Sequence, residues 1–187
     1  DEAKSGGFRA LVVCPKSVTH GWLAETARFA PSLGAAAFDP ASASPESKAP
    51  ECEILVANYT QLRLNAGWFK AKAWDVVVLD EGQFIKNPTS QVAAAARALA
   101  ARHRLVLTGT PIENGVRDLW SIFRFIQPGW LGGREEFKDR YEAPLAAGES
   151  AGAVMERLRL KVSPFLLRRT KEQVAPELPS KLFIDEF

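Results

Sequence analysis

The 187-residue sequence holds only two cysteines, two histidines and one methionine, and each scarcity removes a class of protein. Cys14 and Cys52 lie in or beside strand-like stretches. Small reduced thiols explain them better than a disulfide framework or a thiolate metal site. His20 and His103 complete no ligand cluster at metal-site spacing. No apolar run reaches the length of a membrane span, and the polar opening with Asp1, Glu2 and Lys4 is not a secretion signal. A cytoplasmic chain with no membrane partner is the expectation. With Met155 as the only methionine, the chain reads as an excised piece of a longer protein. Its net charge of +2 is too small to announce a nucleic-acid partner. No glycine is followed by lysine, so the phosphate-cradling pattern Gly-x-x-x-x-Gly-Lys-Ser/Thr does not occur. No internal repeat is present.

What is there fits a domain with a sizeable core: 47% of residues are hydrophobic and 25% charged. Four short apolar runs read as strands: Ala10-Leu11-Val12-Val13-Cys14, Ile54-Leu55-Val56-Ala57, Val76-Val77-Val78-Leu79 and Leu105-Val106-Leu107. Each is continuous rather than alternating, the mark of parallel strands covered on both faces. Between them lie helical patterns. Ser17 is placed to cap a helix with Val18, Trp22 and Phe29 on one side, and Val92, Ala95, Ala96 and Leu99 repeat at helical spacing. This alternation predicts an α/β domain with a parallel sheet. Residues 35–50, rich in Ala, Ser and Pro, read as a surface loop. Val116, Leu119, Trp120, Phe123 and Ile126 mark an amphipathic helix stopped by Pro128-Gly129. A further helical stretch spans 134–162, broken at Gly148-Glu149-Ser150-Ala151-Gly152, with Val154, Leu158 and Val162 on one face. Trp22 and Trp120 read as core, and Trp68, Trp74 and Trp130 as packing under loops. The basic residues Arg157, Arg159, Lys161, Arg168, Arg169 and Lys171 read as a solvated face.

The chemistry gathers at Val76-Val77-Val78-Leu79-Asp80-Glu81, where an apolar strand delivers two acids at its carboxyl end. Ligands of open α/β sheets bind outside the carboxyl ends of strands. A nucleotide hydrolase needs one carboxylate there to hold Mg²⁺, largely through its water shell. It needs another to orient and deprotonate the attacking water. Taken alone, an acidic pair ending a strand is often only a polar loop.

Its surroundings are more specific. Asp80-Glu81-Gly82-Gln83 runs into Phe84-Ile85-Lys86-Asn87, and Leu107-Thr108-Gly109-Thr110-Pro111-Ile112-Glu113-Asn114 follows the fourth strand. These resemble motifs II and III of superfamily 2 helicases in the form used by Swi/Snf-type DNA-dependent ATPases. Leu11-Val12-Val13-Cys14-Pro15-Lys16-Ser17-Val18 with Trp22 is similar to motif Ia, and Ala57-Asn58-Tyr59-Thr60-Gln61-Leu62 to motif Ib. Leu119-Trp120-Ser121-Ile122-Phe123 and Pro128-Gly129-Trp130-Leu131-Gly132 resemble the segment after motif III. Pro164-Phe165-Leu166-Leu167-Arg168-Arg169-Thr170-Lys171 with Leu178-Pro179-Ser180-Lys181 resembles the passage towards the family's second lobe. The blocks cover nearly the whole chain in order. The Ala-rich composition and compact loops look like the bacterial branch, which would make the protein nucleoid-associated.

The resemblance implies a three-layer RecA-like lobe with a parallel sheet and a helical insertion after motif III. It divides the chain into a partial lobe over 1–130, a helical protrusion over 131–163 and a passage over 164–187. It implies an ATP- and Mg²⁺-dependent motor that tracks along double-stranded DNA, works with a second RecA-like lobe of the same chain and remodels protein–DNA complexes. Asp80 would be the Mg²⁺ carboxylate, acting through water, and Glu81 the base. Gln83 would sense nucleotide or lobe closure, and Thr108, Gly109 and Thr110 would couple hydrolysis to DNA. Lys16, Ser17, Asn58, Tyr59 and Thr60 would face the DNA backbone, whose contacts position a duplex without reading it. Capping by Ser17 and a strand-to-helix turn at Asn58 and Thr60 are compatible with those roles. Arg168-Arg169 would brace the lobes.

Two departures stand out. The family usually has Ala where this chain has Gly82, and glycine loosens the backbone beside the acidic pair. The phosphate loop, which lies upstream of motif Ia in the family, is missing. The chain alone is therefore expected to be inactive in ATP hydrolysis. The strand at 105–107 would have an open edge, which favours self-association. An RNA helicase or other superfamily 2 motor, and a non-enzymatic interaction module, stay open as alternatives.

Overall fold

The computed structural model describes residues 7–43, 51–109, 115–148 and 150–169. Five parallel strands form one sheet: β1 (Ala10–Cys14), β2 (Ala35–Ala37), β3 (Ile54–Asn58), β4 (Ala73–Asp80) and β5 (Ala100–Leu107), in the order β2-β3-β1-β4-β5. The four apolar runs are therefore strands, but the expectation that each is covered on both faces fails for the run at 105–107: among the described residues β5 is the last strand of the sheet, and Leu105 and Leu107 are exposed. Inward residues of β1 divide between two faces. Leu11 and Val13 belong to one core with Leu55, Ala57, Val77 and Leu79, while Val12 and Cys14 belong to another with Val56.

Helix α1 (Thr19–Phe29) covers the second face through Trp22 and Leu23. The first face carries the larger core, supplied by α2 (Tyr59–Leu64), α3 (Ala66–Lys70), α4 (Gln91–Arg97) and α5 (Val116–Ile126). Helices on both faces of a parallel sheet make the three layers of the expected α/β lobe. Phe69, fully buried, lies at the centre of an aromatic group with Phe38, Trp68 and Trp74, whose rings stand 4.6, 5.0 and 6.5 Å away. Trp74 donates its indole N–H to the Phe69 carbonyl at 3.1 Å. Arg104 reaches from β5 to the carbonyls of Phe125 and Leu99 at 2.9 and 2.8 Å, satisfying an acceptor in the last turn of α5 and another in the segment between α4 and β5.

Three expectations are corrected. Residues 35–50 do not begin as a loop: Ala35–Ala37 is an edge strand paired with Ile54, Leu55 and Val56. Three alanines carry too little apolar signal to announce it. Ser17 does not cap α1. It lies in a 3-10 turn (Lys16–Val18), and Val18 precedes the helix without a side-chain cap. The buried side of α1 is Trp22, Leu23 and Thr26, so Phe29 is 71% exposed. By contrast α5 begins and ends where its apolar spacing predicts, burying Val116, Leu119, Trp120, Ile122, Phe123 and Phe125.

After α5 the chain forms α6 (Arg134–Phe137) and a π-helical turn (Lys138–Glu142), where Phe137 packs on Trp120 and Tyr141 at 6.0 and 4.8 Å. The first compact unit extends to Glu142. A second unit, Ala143–Phe187, holds α7 (Ala143–Ala146) and α8 (Ala151–Val162). Val154, Leu158 and Val162 are buried, and Arg157, Arg159, Arg168 and Arg169 are exposed. The segment with Lys171 and Leu178-Pro179-Ser180-Lys181 lies outside the described residues. Among the described residues no helix is long and apolar enough to cross a membrane.

Phe69→Ala would empty the middle of the aromatic group and lower stability by about 3–5 kcal/mol. Urea unfolding of the two proteins checks this, and a loss under about 1 kcal/mol would contradict the packing described.

Candidate functional site

Parallel pairing aligns the carboxyl ends of the strands. Cys14 stands opposite Asn58, Val13 opposite Leu79, and Asp80 opposite Leu107. Lys16-Ser17, Tyr59-Thr60, Glu81 and Thr108 therefore all leave the sheet at the same edge. Sequence spacing alone does not bring these segments together; the strand order does.

Strand β4 stops abruptly. Glu81 takes φ 53° and ψ 58°, the only non-glycine residue with positive φ among those described. Such a conformation costs of order 1–3 kcal/mol and persists where its surroundings hold it. Here the Glu81 N–H donates to Asp80 Oδ1 at 3.0 Å, and the Glu81 carbonyl accepts from Phe84 N at 3.1 Å, opening a 3-10 turn (Gly82–Ile85). The turn is fastened from α5, where buried Ser121 donates its hydroxyl to the Ile85 carbonyl at 2.6 Å.

Both acids are half-buried and hydrogen-bonded. Asp80 Oδ2 accepts the indole N–H of Trp22 at 2.9 Å. Glu81 Oε2 accepts the Gln83 amide at 2.9 Å, and Gln83 Oε1 accepts the Thr108 hydroxyl at 3.1 Å. Gln83 thus bridges the acidic pair to the residue after β5. The structure brings together Asp80, Glu81, Gln83 and Thr108, with Gly109 following; Thr110 and 111–114 lie outside the described residues.

The residues expected to face DNA separate into two groups. Lys16, Ser17 and Thr60 are exposed. Asn58 caps α2, accepting from Gln61 N at 3.0 Å while the Gln61 side chain accepts from Asn58 N at 2.9 Å. Tyr59 departs from the expectation: it is 4% exposed, stacks on Phe84 at 4.6 Å and donates its hydroxyl to the Asp80 carbonyl at 2.6 Å. Burial, reinforced by the negative charge of Asp80, pushes its phenol well above the usual range, so it remains a donor. Its side chain serves the interior rather than a phosphate backbone.

Gly82 also reads differently in three dimensions. It is buried, and a Cβ built there would overlap the Val106 Cγ1 methyl, with Leu107 O at 3.7 Å. Close packing, rather than looseness, accounts for glycine beside this valine. The two cysteines are free thiols, and burial raises both above the ordinary thiol range. That suits unreactive thiols.

Mg²⁺ is commonly bound by one or two carboxylates, with water and phosphate completing the shell. Among the described residues no group of three or more His, Cys, Asp or Glu gathers. The Asp80–Glu81 pair fits the sparser Mg²⁺ arrangement. For a nucleotide's phosphates, the sequence supplies no Gly-Lys cradle.

The SNF2-related domain matches residues 2–184. The chain belongs to this family. The SNF2-related chain is 40% identical to the TATA-binding protein-associated factor mot1 of Aspergillus fumigatus over 92% of its length and 10% of that protein. It is 38% identical to an uncharacterized ATP-dependent helicase of Mycoplasma genitalium over 94% of its length and 17% of that protein. The SWI2/SNF2 ATPase core of Sulfolobus solfataricus, solved in complex with dsDNA, superposes with a TM-score of 0.79 at 40% identity. That match covers 89% of this chain and 35% of the Sulfolobus chain. The RecA-like α/β fold is thereby established. The chain spans only a small part of its curated relatives, and fungal proteins match as well as Mycoplasma ones, so no bacterial branch is singled out.

The sequence places Trp22 beside motif Ia and Ser121 in the block after motif III, but not their contacts with Asp80 and Ile85. No local pattern marks a side chain that reaches a distant strand end or turn.

Gly82→Ala should destabilise the SNF2-related chain by about 1–3 kcal/mol through overpacking. Adding Val106→Ala should relieve the overlap, making the double variant more stable than the sum of the single losses. Denaturant unfolding of the four proteins checks this; simple additivity would contradict the packing.

Proposed function

We propose that this chain is the first RecA-like lobe of an ATP-dependent double-stranded DNA translocase that remodels protein–DNA complexes. The observation that carries the reading is the Asp80–Glu81 pair at the sheet's carboxyl edge, joined through Gln83 to Thr108. Membership of the SNF2-related family and likeness to a SWI2/SNF2 core solved with dsDNA support it.

In this reading Asp80 holds the water shell on the metal side of the nucleotide, using lone pairs that its two donors leave available. Bound Mg²⁺ supplies charge neutralisation for the phosphates. Glu81 orients the attacking water and takes its proton. The Gln83 amide holds one Glu81 oxygen in place, and its other end is fixed by Thr108. Movement of the segment Thr108-Gly109-Thr110 would therefore be felt at Glu81 through a single side chain. Lys16, Ser17 and Thr60 provide exposed groups for the DNA backbone, with Asn58 shaping the turn that presents Thr60. Arg168 and Arg169, both exposed, would meet the second lobe.

The phosphate cradle and the second lobe belong to other parts of the full-length protein in this reading. The edge of β5 is open among the described residues, with Leu105 and Leu107 at 52% and 44% exposure. That supports self-association of the isolated chain. Its localisation would be that of its DNA substrate.

ATP turnover of the full-length protein, with and without double-stranded DNA, tests the function. Strong stimulation by duplex is expected; stimulation by RNA instead, or none, would overturn the translocase assignment. Glu81→Gln should lower that turnover by about 10²–10⁴ while nucleotide binding survives. A loss below tenfold would remove Glu81 from the base role. The isolated 187-residue chain should show no ATP turnover and should form dimers or larger species by light scattering. Measurable hydrolysis, or a monodisperse monomer at high concentration, would contradict these two expectations respectively.

A further inference from the structure

We infer that Trp22 is a positioning residue for Asp80, holding the carboxylate in the orientation that binding of Mg²⁺-nucleotide requires. The inference rests on the reading of Asp80 as the metal-side carboxylate and names a residue to which that reading gives no role. Trp22 is half-buried on α1 and packs with Leu23, Ile54 and Val78 over the smaller face of the sheet. Packing alone would be served by any large apolar ring. The indole adds one directed contact, its N–H to Asp80 Oδ2 at 2.9 Å, from a residue 58 positions away in sequence.

Three donors from three segments meet at Asp80. Trp22 on α1 holds Oδ2, the Glu81 N–H holds Oδ1 at 3.0 Å, and Tyr59 on α2 holds the main-chain carbonyl at 2.6 Å. The contact from Glu81 is local and follows the turn wherever it goes. Trp22 is different, because it fixes the carboxylate's second oxygen relative to the sheet. The chemistry of the donor matters too. Indole is a neutral donor with no acceptor capacity. It orients an ionised carboxylate without cancelling its charge, whereas Lys or Arg would compete with a cation for it. An ionised carboxylate offers about four lone-pair sites. The two donors take one each, leaving room for metal-bound water. Outer hydrogen bonds of this kind orient metal-binding groups, and their loss lowers metal affinity or activity.

The test uses the full-length protein with Trp22→Phe, which keeps an apolar ring and removes the N–H. Equilibrium binding of a fluorescent ATP analogue is measured against Mg²⁺ concentration, alongside turnover and the thermal midpoint of unfolding. Half-maximal binding should require about 10- to 100-fold more Mg²⁺, with binding in the absence of Mg²⁺ and the thermal midpoint little changed. An unchanged Mg²⁺ dependence overturns the inference. Should Phe lower the midpoint, 3-benzothienylalanine at position 22 takes its place, since it keeps the indole shape without the N–H. The same shift then supports the inference, and its absence overturns it. If the unaltered protein shows no Mg²⁺-dependent nucleotide binding, the ATPase reading and this inference fall together. Normal binding by the unaltered protein with no shift in the variant removes the role of Trp22 alone.

Discussion

Where β4 stops, and in which direction the chain leaves it, fixes how Asp80, Glu81 and Gln83 stand relative to Thr108. The stop is the left-handed Glu81, and its strain is balanced by contacts on all sides. Asp80 takes its N–H, Phe84 donates to its carbonyl, and Gln83 holds its side chain. The following 3-10 turn is then pressed against β5 at Gly82 and fastened to α5 at Ser121. A more ordinary extended residue at 81 would carry the chain on past the sheet edge. Gln83 would lose its reach to Thr108, and the segments that follow β4 and β5 would no longer be joined.

Much of the fold was legible because a buried parallel strand leaves a plain trace. The runs at Ala10–Cys14 and 54–57 are apolar throughout since helices cover both their faces. Helix α5 was equally plain, because seven of its eleven residues are buried and a Pro-Gly pair follows. The failures have the opposite cause. Strand β2 lies at the sheet edge and consists of three alanines, so its burial is slight and its pattern weak. Helix α1 buries only one residue fully, and a helix with so narrow an inner face leaves its rotation undetermined by apolar spacing. Phe29 was placed inward on that spacing, yet lies in solvent.

The candidate groups are legible where they sit in consecutive residues, and the contacts that join them across the fold are not. Asp80 and Glu81 announce themselves at the end of a strand, and Thr108 at the end of the next. Tyr59 illustrates the limit: in sequence it stands between two polar residues of a candidate DNA-facing block, but α2 begins there and turns its ring beneath Asp80. Gly82 is similar. A glycine beside an acidic pair suggests freedom when read alone, and only the neighbouring strand shows that Val106 occupies the space a methyl group would need. Pairwise complementarity of this sort has no one-dimensional signature.

The groups that touch Asp80 and Glu81 share a property that bears on how the site works. Indole, amide and main-chain N–H are all neutral donors, so they set the geometry of two carboxylates without placing a positive charge beside either. Two adjacent acids so arranged repel each other and attract any cation near the sheet edge. A metal ion with nucleotide phosphates would relieve that repulsion, and the phosphates would in turn need positive partners of their own. In P-loop motors those partners are the lysine of the phosphate loop and an arginine presented from outside the lobe. Neither is supplied by the Asp80–Glu81 edge. The edge therefore presents two adjacent carboxyl groups held by neutral donors. On the proposed reading, nucleotide and basic groups from outside this edge would balance these acids together, so closure of a two-part site, rather than any rearrangement of the acids, would be the step on which turnover depends.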